Sequence, residues 1–284
     1  MKNIKEMSKE EVLELFKKGR KIDEYGYLSD ELQRDKDVIL EVVKQDGYML
    51  QYVPVKQRDK EVVLEAVKQC GEALDRAGRE LQGDKEVVLE AVKQYGMALR
   101  YASEELQGDK EVVLEAIKQN EFALQYASKE LRGDKEVVLE AVKNSEMIFQ
   151  VASAELRSDK KFVLEIVRQN GWALEYASKE LRGDKEVILE IVKQDGLALE
   201  YASEELRGDK EVVLEAVKQN GFALRYASKE LRADKDIQKA AQKSDDKDEE
   251  VLKQEQIKRI LEQQQVIKKQ EEQIQNLRTQ IQQK

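Results

Sequence analysis

Apolar residues recur at a fixed period along most of the chain. The motif DKEVVLEAVKQ, or a close variant, begins at evenly spaced aspartates: Asp59, Asp84, Asp109, Asp134, Asp159, Asp184 and Asp209. A looser copy starts at Asp35, one residue short of a full period before Asp59, and a degenerate copy starts at Asp234. With a more polar version from Ser8, the sequence predicts nine repeats, the last of which covers 209–233. Such self-similarity is the signature of architectures in which each repeat packs against its neighbours.

Within one repeat, numbered 1 to 25 from its first aspartate, the apolar positions predict helices. In the repeat 209–233, positions 4, 5, 6, 8 and 9 are apolar, which is the pattern of a helix face. Aspartate at position 1 is a good N-cap, and position 12 is usually a capping residue too, so a second short helix is predicted from there. Pro54 falls within that second helix and is expected to cause a bend or an irregular turn. We therefore expect an all-α solenoid of about nine helical hairpins.

The repeated motif also resembles a known family. DKEVVLEAVKQNG followed by ALxYASxELR is similar to a short tandem helical repeat catalogued as a domain of unknown function, and the resemblance covers most of 8–233. It implies no established activity and no catalytic residue. The sequence departs from the motif at Glu121 and Glu146, which replace glycine at position 13, and at Arg76 and Val151, which replace tyrosine at position 18. Because glutamate is accepted at position 13, we do not expect that position to need a left-handed backbone.

The repeat pattern divides the chain into four segments. We predict an N-terminal capping repeat at 1–34, the solenoid at 35–233, and a degenerate repeat with a charged linker at 234–249. In the glutamine-rich segment 250–284, isoleucine recurs every seven residues, as at heptad position a, whereas most d positions are glutamine. The segment is predicted to form a helix, and a coiled coil that joins copies of the chain or binds a helical partner. The residues predicted to make that contact are Ile260, Ile267, Ile274, Leu277 and Ile281.

Composition narrows the chemistry. The 284 residues include no histidine and one cysteine, which excludes histidine-dependent nucleophilic catalysis, an intramolecular disulfide and a zinc site built from Cys or His. Carboxylates and lysines are plentiful, but they recur in every repeat, whereas an active site needs one convergent cluster. We therefore expect no enzymatic activity, no cofactor and no metal. No stretch has the apolar character of a signal peptide or a membrane span, so the cytoplasm is expected, with Sec-independent export as the alternative.

The positions that vary between repeats are candidates for recognition. Positions 14, 17 and 21 differ from repeat to repeat and would share one face of a regular second helix. One hypothesis is a continuous ligand-binding stripe. The other is that position 14 fills gaps between repeats while positions 17 and 21 form ordinary exposed ion pairs; Trp172 is likewise either core filler or an interface anchor. The candidate partner-binding residues are Arg100, Trp172, Glu175, Glu200 and Arg225.

These patterns favour a protein-interaction scaffold whose protein partner the sequence does not identify. The alternative is a modular reader of single-stranded nucleic acid, because other helical repeats read one base per repeat. The net charge of −9 argues against nucleic acid, since binders of that kind carry basic surfaces. The tyrosines that recur at position 18 are accordingly expected to pack between repeats rather than to stack on bases.

Overall fold

The computed structural model of the chain describes residues 4–18, 22–168, 171–244 and 246, and in the C-terminal segment residues 253, 254, 256, 258, 259 and 261–265. Throughout these residues the regular structure is helical, and none of them lies in a strand. The chain divides into two compact parts, 1–178 and 179–284. Successive repeats stack on one another within each part, which confirms the predicted all-α repeat solenoid.

Each of the nine repeats contains three helical segments, which we name the first, middle and third helix. A 3₁₀ turn at Ile4–Glu6 precedes them. The first helices are α-helical: Lys9–Lys17, Lys36–Gln45, Lys60–Gln69, Lys85–Gln94, Lys110–Gln119, Lys135–Val142, Lys160–Val167, Lys185–Val192 and Lys210–Gln219. The middle helices are 3₁₀ segments: Ile22–Tyr27, Gly47–Tyr52, Gly71–Arg76, Gly96–Tyr101, Glu121–Tyr126, Glu146–Val151, Gly171–Tyr176, Gly196–Tyr201 and Gly221–Tyr226. The third helices are the 3₁₀ turns Leu32–Arg34, Val55–Gln57 and Leu131–Gly133 and the α-helices Arg79–Gln82, Glu104–Gln107, Ala154–Ser158, Lys179–Arg182, Glu204–Arg207 and Lys229–Arg232.

The first helices supply about half of the buried apolar residues. In the repeat 134–158, Val137, Val138 and Ala141 are fully buried, and the same positions are buried in the neighbouring repeats. Leu139, at position 6, is only half-buried, so the apolar face is narrower than the sequence pattern predicts. Asp134 caps this helix by accepting hydrogen bonds from the backbone N–H groups of the next turn, as the sequence predicts for position 1.

The predicted second helix is split into two. Between the middle helix Gly96–Tyr101 and the third helix Glu104–Gln107, Ala102 and Ser103 have extended backbone angles. Serine at position 20 accepts a hydrogen bond from the backbone N–H three residues later, 3.4 Å from Leu106 N to Ser103 Oγ, and so starts a new helix. The single helix expected from position 12 onward is therefore wrong, because 3₁₀ segments are short and this serine begins an α-turn of its own.

Pro54 lies at the same break in its own repeat and not inside a helix. It follows the middle helix Gly47–Tyr52 and precedes the third helix Val55–Gln57. Its φ of −58° nearly equals the −59° of Ser103 at the equivalent position, so the proline fits the backbone that the other repeats already adopt. The turn expected at Pro54 is therefore the ordinary turn of the repeat.

Two sets of contacts join successive repeats. The lysine at position 2 pairs with acidic residues at the start of the next repeat; Lys85 Nζ lies 2.7 Å from Asp109 and 2.8 Å from Glu111. In the repeats with serine at position 20, the backbone N–H of that serine donates to the carbonyl of position 24 in the preceding repeat, at 2.9 Å for Ser103 and Gln82. The lysines that pair with the capping aspartate of the next repeat are Lys9, Lys36, Lys60, Lys85, Lys110, Lys135, Lys185 and Lys210. We call these pairs the lysine ladder.

Glycine at position 13 permits a close approach between repeats. A Cβ placed on Gly96 would lie 2.4 Å from the carbonyl oxygen of Ala116 in the next repeat, far inside contact distance. The backbone there is not left-handed, and Gly78 is the one glycine with positive φ among the described residues. The expectation that position 13 needs no left-handed backbone is confirmed. Glycine is needed there because the backbone of the next repeat leaves no room for a Cβ.

The two glutamates at position 13 precede short first helices. The helix after Glu121 and the helix after Glu146 each have 8 residues, whereas the helix after Gly96 has 10 residues. A side chain at position 13 points toward the last turn of the next first helix, so a shorter helix makes room for it. The helix that follows Gly171 in the chain also has 8 residues. A short helix therefore accommodates the glutamate but does not require it.

The C-terminal segments are described in part. Residues 235–244 are helical, Asp234 caps them, and Ile237 and Ala241 are buried, so the degenerate repeat forms a first helix. The residues of the predicted coiled coil lie outside the described residues, and the coiled coil stays a prediction. They are Ile260, Ile267, Ile274, Leu277 and Ile281.

Candidate interaction surface

Position 14, the second residue of the middle helix, carries large apolar side chains that are exposed. Trp172 is 56% exposed, Met147 49% and Phe122 37%, in three consecutive repeats of the N-terminal part. Positions 15 and 16 of the same helix are buried, as Ala173 and Leu174 show. Trp172 is therefore not core filler, and position 14 does not fill gaps in these repeats.

Position 17 lies one 3₁₀ turn after position 14 and is also largely exposed. Because a 3₁₀-helix has three residues per turn, side chains at i and i+3 lie one above the other. Trp172 and Glu175 are such a pair on one middle helix, and both are exposed. Position 21 belongs to a separate helix, so the predicted stripe of positions 14, 17 and 21 is shortened to positions 14 and 17.

Arg100 is held in a cluster of side chains from three repeats. Its guanidinium stacks over the Tyr101 ring at 4.4 Å, donates to the Tyr101 hydroxyl, and lies 3.0 Å from Glu72. The hydroxyl of Tyr48 donates to the same carboxylate at 2.6 Å. Hydrogen bonding to Glu72, and secondarily to Cys70, raises the pKa of Tyr48. Arg100 therefore pairs with position 14 of the preceding repeat, not with position 21 of its own.

A shallow cavity of about 270 Å³ opens beside this cluster. Tyr48, Glu72, Asp75 and Tyr101 contribute to its lining. Tyr48 and Tyr101 donate to Glu72, and Asp75 pairs with Arg76 at 3.1 Å, so the lining presents charged and aromatic groups.

The remaining predicted residues occupy equivalent positions on other repeats. Glu175 and Glu200 are exposed at position 17. Burial, followed by the charges of Glu175 and Glu146, raises the pKa of Tyr176. Arg225 stacks over the Tyr226 ring at 4.6 Å. Trp172 and Glu175 share one middle helix; Arg100, Glu200 and Arg225 each lie on a different repeat, so the five residues form no single cluster.

Among the described residues, no three Asp, Glu or Cys side chains are grouped so that they could hold a metal ion. None of the helices described is long and apolar enough to cross a membrane.

The repeats match the model of a protein family. The family is described as a domain of unknown function, DUF4116, and its model matches residues 8–58, 59–107, 84–132, 109–157, 134–182, 159–207, 184–232 and 209–246. The chain belongs to this family. Most DUF4116 matches begin at a position-1 aspartate and cover two successive repeats, so the family's domain corresponds to a pair of stacked repeats. No curated protein and no solved structure matches the chain.

Sequence reasoning missed the contacts that lie between repeats. The lysine at position 2 and the serine at position 20 recur in most repeats, as the capping aspartate does. This recurrence could have indicated that both residues make contacts between repeats. The cluster of Tyr48, Glu72 and Arg100 had no such signal, because each of these residues occurs at its position in only one or two repeats.

Proposed function

We propose that the chain is a non-enzymatic protein-interaction scaffold that binds a protein partner through positions 14 and 17 of its middle helices. The observation that carries this proposal is the row of exposed apolar side chains Phe122, Met147 and Trp172. Aromatic and methionine side chains are enriched where proteins bind one another, and exposed apolar patches mark interaction sites. Their recurrence at one position of successive repeats suits an extended partner.

The division between uniform and variable positions supports the same proposal. Positions 15 and 16 are nearly uniform and buried, whereas positions 14 and 17 vary and are largely exposed. Packing constrains a buried position, while an exposed position is free to take the residue that a partner requires. In the repeats 134–158 and 159–183, acidic Glu146 and Glu175 flank the apolar row, which favours a partner segment with apolar and basic side chains.

Binding should be lost when the apolar row is removed and the fold is kept. We expect a tagged full-length chain to retain a specific protein from lysate, and a triple glutamine variant to release it. That variant is Phe122→Gln, Met147→Gln and Trp172→Gln. A second variant, which removes the charges at position 17, should weaken the same interaction: Arg100→Gln, Glu175→Gln, Glu200→Gln and Arg225→Gln.

A matched control changes three exposed lysines at position 10 of the repeats 84–108, 109–133 and 134–158, which are not part of the apolar row. It consists of Lys93→Gln, Lys118→Gln and Lys143→Gln, and it should bind like the unchanged chain. Circular dichroism verifies that all variants are folded. Equal retention of the partner by the triple variant and by the control would show that the apolar row is not the binding surface.

Single-stranded nucleic acid is the competing ligand. Its affinity would depend steeply on salt, because phosphate contacts release counterions. With a net charge of −9, the chain should not bind labelled single-stranded RNA even at low ionic strength. Binding that appears at low salt and disappears on nuclease treatment would favour the nucleic-acid function instead.

The C-terminal segment is proposed to join copies of the chain, which would raise the apparent affinity for a multivalent partner by avidity. Light scattering on the full chain should then give a mass above that of one copy. Aspartate at two of the heptad isoleucines, Ile267→Asp and Ile274→Asp, should return the mass to that of a monomer, because charged residues are not tolerated in the apolar seam. An unchanged mass in this variant would exclude the seam as the contact.

A further inference from the structure

Arg225 and Arg100 occupy equivalent positions but have different partners. Both guanidinium groups stack on the following tyrosine and donate to its hydroxyl. Arg100 also pairs with Glu72, at position 14 of the preceding repeat. The repeat before Arg225 has Leu197 at that position. Among the described residues, no carboxylate forms an ion pair with Arg225.

The tyrosine beneath Arg225 also lines a groove in the C-terminal part. The groove, of about 330 Å³, lies between the third helices Glu204–Arg207 and Lys229–Arg232. Three of its lining side chains are cationic, Arg207, Lys229 and Arg232, and Glu204 is the acidic one. We call it the basic groove.

Arg207 lines the basic groove from the third helix Glu204–Arg207. Its Nε is buried and has no hydrogen-bond partner in the described part of the chain, and the same is true of Arg132, Arg157 and Arg182 at position 24 of other repeats. This buried donor is therefore a feature of the repeat, and what Arg207 offers a ligand in the groove is its charge.

The nearby acidic side chain on the third helix forms hydrogen bonds of its own. Glu230 bonds to its own backbone N–H and to the hydroxyl of Ser228, and these bonds, with the charge of Arg232, hold its pKa below the usual value. No ion pair forms between Glu204 and Arg207 among the described residues. The charges of Arg207 and Lys229 therefore have no ion-pair partner in the described part of the chain.

We propose that the basic groove binds an acidic peptide segment of the partner protein. A carboxylate of the segment pairs with the guanidinium of Arg207, because hydrogen bonds between two charged groups are stronger than neutral ones. A second carboxylate of the segment pairs with Arg225, and the exposed ring of Phe222 on the same middle helix contacts its apolar side chains. This inference rests on the proposed function, because it gives the chemistry of one part of the partner.

The local charge favours a short acidic segment over a long polyanion. At physiological ionic strength, exposed charges more than about 8 Å apart are largely screened. A peptide seated in the groove therefore experiences mainly the charges that line it, which are three cations and Glu204 and so are positive in sum. A nucleic acid that extends along the array would instead meet the acidic residues that give the chain its charge of −9.

The test measures binding of a fluorescein-labelled Glu-Asp-Phe-Glu-Asp peptide to the full chain by fluorescence anisotropy. We expect saturable binding, and none to the amide peptide Gln-Asn-Phe-Gln-Asn. The double variant Arg207→Gln, Lys229→Gln should bind about tenfold more weakly or worse, because it removes charged partners of the carboxylate. It should fold, since position 24 is glutamine at Gln82 and Gln107 and position 21 is alanine at Ala154.

A matched control removes the same charge from another face. The double variant Lys193→Gln, Lys218→Gln changes two exposed position-10 lysines and should bind the acidic peptide like the unchanged chain. The proposal is overturned if the acidic peptide does not bind to the unchanged chain, or if the amide peptide binds equally well. It is also overturned if the two double variants bind the acidic peptide with equal affinity. Tighter binding of an oligouridylate, lost in the Arg207→Gln, Lys229→Gln variant, would overturn it in favour of nucleic acid. The retention of the protein partner by the Phe122, Met147 and Trp172 variant is a separate experiment. The proposed function can therefore hold even if the basic groove does not bind the acidic peptide.

Discussion

At the scale of single residues, the closest contact between repeats depends on the absence of a side chain. Gly96 approaches the carbonyl of Ala116, which belongs to the next repeat. The recurrence of glycine at position 13 is visible in the sequence. The sequence does not show why glycine is needed, because that depends on how closely the next repeat approaches. The same limit applies to Trp172, whose exposure depends on how its short helix faces the solvent.

A methyl group at position 13 should therefore destabilise the array. In Gly96→Ala the added carbon would overlap two backbone atoms, the carbonyl oxygen of Ala116 at 2.4 Å and the amide nitrogen of Asn120 at 3.0 Å. Backbone cannot move aside cheaply, so we expect a loss of about 1–3 kcal/mol in the free energy of unfolding. Urea denaturation followed by circular dichroism measures it.

The control for this prediction is Gly183→Ala at position 25. The nearest atom to its added carbon is 3.5 Å away, and alanine already occupies the position at Ala233. Its free energy of unfolding should change by no more than about 0.5 kcal/mol. If both variants unfold at the same urea concentration, close approach does not explain the glycine.

At the scale of helices, the first helix could be predicted from the sequence and the rest of the repeat only in outline. Position-1 aspartate and the apolar spacing specify where the first helix begins and which face it buries. The later residues also look helical, but a periodic pattern does not distinguish one helix from two short helices. Serine at position 20 marks the division, since it is an N-cap with an extended backbone, and this changes which variable positions share a face.

Two substitutions at Ser103 separate its two roles. Ser103→Ala removes the cap on Leu106 and should cost about 1 kcal/mol, while leaving the backbone bond to Gln82. Ser103→Pro also removes that bond, although its φ of −59° suits proline. An unpaired carbonyl costs about 1–3 kcal/mol, so the proline variant should be the less stable of the two in thermal unfolding. Equal melting temperatures would mean that the backbone bond between these repeats contributes nothing.

At the scale of the whole molecule, the lysine ladder makes the free energy of unfolding depend on pH. Hydrogen bonding to Lys85 holds the pKa of Asp109 below its usual value, and Lys60 does the same for Asp84. An aspartate in the unfolded chain has a pKa of about 3.9. The ladder therefore stabilises the fold above about pH 4, and this contribution is lost as the pH falls through the folded-state pKa values.

The melting temperature should fall as the pH is lowered from about 5 to about 2. A variant with the ladder aspartates replaced, Asp84→Asn and Asp109→Asn, should melt lower at pH 7 and depend less on pH, because asparagine still caps but does not ionise. The control variant Glu104→Gln, Glu105→Gln removes two exposed carboxylates outside the ladder. If it flattens the pH dependence as much as the asparagine variant does, general charge and not the ladder is responsible.

The sequence predicts the architecture of the chain more completely than its recognition. The fixed period of the motif and the capping aspartates are enough for an all-α solenoid, because local pattern and packing between neighbours agree in every repeat. The exposed row of Phe122, Met147 and Trp172 could be proposed from variability alone. The basic groove could not, since it brings together side chains from the third helices of two different repeats.

The repeat 35–58 is one residue shorter than those that follow it, yet its junction with the next repeat is kept. There Arg58 donates to the carbonyls of Val53 and Gln51 in its own repeat and to that of Arg76 in the next, so one guanidinium spans the boundary. Position 24 of the full-length repeats is also arginine or glutamine, so Arg58 is the ordinary residue of its place. An in-frame duplication or loss of a full repeat presents the same lysine and aspartate to each new neighbour. Gene length in such a family should therefore change mostly in whole repeats.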